Sequence, residues 1–106
     1  MPNGPAVRIV ATPGGEAPLD VREAWVGLTL PLTDPTPRIF EPNGVLSLTK
    51  QSPRVGYMVE GWKAVDILAE RAPRAAEWWR ENAPHVLAPC YQLIFSADVC
   101  EVMQGR

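Results

Sequence analysis

Histidine is nearly absent from this chain, His85 being the only one in 106 residues. Nucleophilic catalysis needs a base and an orienting group within hydrogen-bond reach of the nucleophile. Any triad is therefore confined to His85 with Cys90 or Ser96, and no Gly-x-Ser-x-Gly elbow supports one. Cysteine is scarce as well, with Cys90 and Cys100 alone. His85, Cys90, Asp98, Cys100 and Glu101 are all of metal-ligand type and share the last quarter of the chain, but their spacing matches no compact ligand pair. No metal and no cofactor is expected. Pro13-Gly14-Gly15 lacks both a following P-loop lysine and the third glycine of a dinucleotide fingerprint, so it reads as a turn rather than a phosphate cradle.

Charge of one sign is not concentrated anywhere. Ten Lys and Arg face twelve Asp and Glu without a block of either, which argues against nucleic acid and against acidic membranes as partners. No apolar run approaches the roughly 20 residues that span a bilayer, and no leader pattern opens the chain. The expectation is a cytoplasmic protein with reduced thiols.

What the sequence does hold is a globular composition, with 46% hydrophobic and 21% charged residues, rich in proline and tryptophan. A single domain spanning 1–106 can hide about 65% of the surface its unfolded chain exposes, enough for a core without a staple. The twelve prolines restrict long helices and central strands and favour short elements joined by stiff loops.

The longest alternating run is Ala24 to Leu32. Read as one strand, it places Val26, Leu28, Leu30 and Leu32 on one face and Trp25, Gly27, Thr29 and Pro31 on the other. Further short strands are predicted at 7–12, 38–40, 45–49 and 54–60. Turns fall at 13–15, at Glu41-Pro42-Asn43-Gly44 and at 51–53, and 16–23 reads as a polar connection. The period then changes. Ala64, Val65, Leu68, Ala69 and Ala72 recur at helical intervals, and Pro73 opens a second helix to Asn82 with Ala75, Ala76 and Trp79 on one side. A loop at 84–89 leads to strands at 91–96 and 99–103, predicted to pair as a hairpin. That register sets Leu93 rather than Cys90 opposite Cys100, so no disulfide is expected. The predicted fold is α+β: a small, strongly bent antiparallel sheet or partly open β-barrel of five or six short strands, with one helical excursion at 61–82.

Four tryptophans, Trp25, Trp62, Trp78 and Trp79, give the one positive hint of function. Tryptophan fills volume in a small core and also anchors interfaces. Trp62 and Trp79 read as core. Trp25 and Trp78 lie off the clearest apolar stripes and, with Tyr57, form the expected interaction surface, so that Trp25→Ala should weaken binding and spare the fold. The leading expectation is a non-enzymatic binding module that presents aromatic and arginine side chains to a protein segment or a like subunit. The alternative is a small-ligand protein or enzyme with a pocket between sheet and helices, built on His85, Asp98 and Glu101.

Overall fold

A computed structural model describes residues 4–40 and 54–103 and the backbone of 47–48. The turns predicted at 41–44 and 51–53, and residues 45, 46 and 49 of one predicted strand, lie outside the described residues. The fold is α+β. The elements run β1 (Ala6–Ile9), α1 (Leu19–Glu23), β2 (Thr29–Pro31), β3 (Arg38–Phe40), β4 (Ser47–Leu48), β5 (Arg54–Glu60), α2 (Gly61–Arg71), α3 (Pro73–Asn82), a 3-10 turn (Pro84–Leu87), β6 (Gln92–Ser96) and β7 (Cys100–Met103).

Among the described residues the strands form two sheets that do not close into a barrel. One is antiparallel in the order β2-β1-β7, with Val7 opposite Leu30 and Val102. The other runs β3-β5-β6, also antiparallel, and the two-residue β4 lies parallel along the far edge of β6. Six strands of three residues or more thus divide three and three. The predicted hairpin at 91–103 does not form, because β6 pairs with β5 and β7 pairs with β1. The intervening turn, closed by Val99 N–H to Ser96 O at 3.0 Å, is instead a corner at which the chain leaves one sheet for the other. Val10 N–H to Val99 O at 2.8 Å and Ala97 N–H to Val55 O at 2.8 Å tie this corner to both sheets.

The predicted strand at 24–32 is half right. Leu28, Leu30 and Leu32 are buried and Thr29 and Pro31 exposed, as alternation requires. Upstream the chain is helical. Ala17, Val21 and Trp25, four residues apart, all point inward, and Ala24 and Trp25 close the turns that end α1. Arg22 fastens this helix to the preceding loop by donating to Ala17 O at 2.8 Å and Pro13 O at 3.0 Å. The change of period falls at Gly27, whose φ of +92° only glycine adopts without strain. Its N–H meets Ile9 O at 2.7 Å, and Ile9 N–H meets Leu28 O at 2.9 Å, which starts the β1–β2 ladder.

Both predicted helices form within the expected bounds. Gly61, Ala64, Val65 and Leu68 make the inner stripe of α2, and Ala75, Ala76 and Trp79 that of α3. Pro73 serves as the first residue of α3, where its missing N–H costs nothing. One continuous apolar cluster joins these stripes to Val7, Ile9 and Leu30 of the first sheet and to Val59, Leu93 and Phe95 of the second. Among the described residues no helix is long and apolar enough to cross a membrane.

Candidate functional site

Trp25 is not at the surface. It is fully buried, with its ring 5.3 Å from Phe95 and 6.1 Å from Trp79, edge-on to both. The reason is the helical phase of α1, which turns this residue inward where a strand would have turned it out. Trp79 is equally buried, and the indole N–H groups of both find no hydrogen-bond partner. Tyr57, opposite Phe95 in the β5–β6 ladder, is half-buried against the same core. Trp62, expected in the core, is instead half-buried at the surface. Its Nε1 donates to Glu60 Oε2 at 3.2 Å, and Lys63 Nζ lies 5.4 Å from its ring centre while pairing with Glu60 Oε1 at 3.1 Å.

Trp78 is half-buried as well, and it lines a groove of about 720 Å³ between α1 and α3. The α1 side contributes Asp20, Val21 and Ala24. The α3 side contributes Ala72, Arg74, Ala75 and Glu77 besides Trp78. Three of its walls are alanines, Ala24, Ala72 and Ala75, whose side chains are too short to fill the space between the two helices. Its rim is charged with both signs. Among the described residues the side chains of Asp20, Arg74 and Glu77 make no hydrogen bond or ion pair, as is true also of Glu16, Glu23, Arg54, Glu70 and Glu81, while Arg8–Glu101, Arg38–Asp34, Lys63–Glu60 and Arg80–Asp66 are paired. Arg74 also stands in the first turn of α3, the end of a helix that favours acidic rather than basic side chains. Neither pairing nor the helix dipole accounts for an arginine there.

The alternative site residues are not brought together as one cluster. His85 sits exposed on the 3-10 turn, edge-on to Tyr91 at 5.0 Å, and burial pushes the Tyr91 hydroxyl above its ordinary pKa. Asp98 lies in the β6–β7 corner and accepts a short hydrogen bond from the Ser96 hydroxyl. Glu101 stands on β7 across from Arg8, 4.0 Å away. Each has a neighbour of its own, and none lines the groove. Among the described residues no group of three or more His, Cys, Asp and Glu is placed to hold a metal ion.

Both cysteines are free, Cys90 exposed and Cys100 buried. Burial first, and the nearby Asp98 charge second, push the Cys100 thiol from its ordinary 9.0 up to about 11. A thiol held protonated in this way is a poor nucleophile and a poor ligand.

No protein-family model, curated protein or solved structure matches the chain. Trp78 was legible as an odd residue, since it stands about 100° around α3 from Trp79 and both rings cannot face one core. The alanines opposite it were not legible as a hollow, because Ala72 and Ala75 carry the same periodic signal as the buried face of α3.

Proposed function

We propose that this protein is a non-enzymatic interaction module that docks a polypeptide segment in the α1–α3 groove, against Trp78. The observation that carries the reading is the joining, in one groove, of a half-buried indole, an alanine floor and three unpaired charges. A tryptophan in that position offers large area and a polar handle to an incoming chain. The rim charges of both signs suit the polar edge that surrounds such an anchor and select among partners by matching sign. Arg74 and Trp78 are the arginine and aromatic pair of the site; Trp25 backs Trp78 through Trp79 from the core side, and Tyr57, on β5, takes no part in it. The same reading puts the protein in the cytoplasm, which its two free thiols support.

Site-specific photo-crosslinking in the cells that make the protein tests this. A crosslinking residue at position 77 should capture one discrete polypeptide, the capture should be lost in Trp78→Ala, and the same residue at position 101 should capture nothing. Equal capture from both positions, or capture from position 77 that survives Trp78→Ala, overturns the reading.

A further inference from the structure

We infer that the polypeptide docked in the α1–α3 groove meets it as an amphipathic helix of a partner, laid between α1 and α3 as a third helix. The inference rests on the groove being a docking site, and adds the conformation and chemistry of what fills it. An extended chain brings one N–H and one C=O per residue, and on docking it pairs them with a free strand edge or with polar side chains spaced along the groove. This groove supplies neither. No strand lines it, and none of its lining residues is Asn, Gln, Ser or Thr. Its floor of Val21, Ala24, Ala72 and Ala75 offers only hydrocarbon side chains. The Asp20 and Ala72 carbonyls already accept the N–H groups of Ala24 at 3.2 Å and Ala76 at 3.1 Å. The free N–H groups of the first turn of α3 serve one carbonyl at most, not a length of chain. An extended backbone pressed onto this floor would therefore keep unpaired groups, each as costly as a lost hydrogen bond.

A helix arrives with its backbone already bonded and asks only for apolar contact. The walls are shaped for one. Val21 and Ala24 stand three apart on the α1 side, and Ala72, Ala75 and Trp78 three apart on the α3 side, which are the rows against which helices pack. Short side chains in such rows let a third axis approach closely, at roughly 8–10 Å. Because the floor is short and the hollow measures about 720 Å³, the partner supplies the bulk, as large apolar side chains at positions i, i+3 or i+4 and i+7, with the Trp78 ring as the wall they meet.

Photo-crosslinking of the full chain in the cells that make it, with the attachment points mapped by mass spectrometry, is the test. A crosslinking residue is placed singly at the exposed positions 20, 74 and 77, and the residues it joins on the captured polypeptide are identified. On a helix these should fall three, four or seven apart along that polypeptide. Proline in the middle of the captured segment, at a position that is not joined, should then reduce capture by about tenfold or more, and alanine at the same position should leave it unchanged. Attachment points two apart, or capture that survives the proline, overturn the inference while the docking function stands. If no position gives Trp78-dependent capture, the docking function itself falls and the inference with it.

Discussion

An indole enclosed by Trp79 and Phe95 and an indole left half open on α3 should respond differently to the same truncation. Trp25→Ala empties the centre of the core and should cost about 3–5 kcal/mol in chemical denaturation, against the expectation from alternation alone that it spares the fold. Trp25→Phe should cost clearly less than Trp25→Ala, since it keeps most of the ring and removes an N–H buried without a partner. Trp78→Ala should cost no more than about 2 kcal/mol, having only its edge contact with Trp79 at 5.1 Å and part of its area to lose.

Cys100 supplies the pH dependence at this scale. Its folded pKa of about 11 lies above the ordinary 9.0, so the folded state holds the proton more tightly. The stability this contributes is complete below pH 9 and is lost as pH rises toward 11, at most about 2–3 kcal/mol. Denaturation midpoints should fall over that window, and fall less in Cys100→Ala. In native protein a thiol reagent should label Cys90 alone, with Cys100 following only on unfolding.

At the scale of elements, two glycines fix how helices meet their neighbours. A Cβ at Gly61 would stand 2.6 Å from Val86 O and 2.7 Å from Val86 Cγ1, so the start of α2 lies against the 3-10 turn with no room for a side chain. Gly61→Ala should therefore destabilise by about 1–3 kcal/mol, although alanine is otherwise the better helix former. At Gly27 a Cβ would fall 2.6 Å from Arg71 Nη1, whose guanidinium donates to Val26 O and joins the end of α2 to the α1–β2 turn. Gly27→Ala meets both this contact and a positive φ. Adding Arg71→Ala should relieve the first and leave the second, so the double variant should remain less stable than Arg71→Ala alone.

Elements were legible where one period ran unbroken. The stripes of α2 and α3 are periodic in the sequence and in the structure, and β5 forms at the predicted bounds although its burial does not alternate, Val55 being exposed where Val59 is buried. Alternation from Leu28 to Leu32 was equally clear, but carrying it back to Ala24 reversed the side of Trp25. The competing signal was Ala17, Val21 and Trp25 at intervals of four, spread over a stretch whose polar residues read as a connection. Nor could local pattern say that β6 and β7 part. Two strands separated by a short turn look alike whether they pair with one another or with β5 and β1, and burial on both sheets decides it.

For the molecule as a whole, two three-stranded sheets share one core, which α2 and α3 complete, and the second sheet continues directly into α2 at Glu60–Gly61. That arrangement places α1 and the N-terminal half of α3 side by side at the periphery, with alanines between them and Trp78 at the margin. The α+β class was readable from the succession of periods. The groove was not, because it depends on how two helices separated by about 50 residues of chain approach one another, and small residues mark a buried stripe and a hollow alike.

Whether the α1–α3 groove holds a polypeptide is read by native mass spectrometry of protein gently purified from its own source, with Trp78→Ala prepared in parallel and its fold checked by circular dichroism. The wild type should fly with a second polypeptide, at twice the chain mass if the occupant is a like copy, and the Trp78→Ala protein should fly alone. A wild type that carries only a small molecule, or a complex that the Trp78→Ala change leaves intact, would contradict docking in the groove.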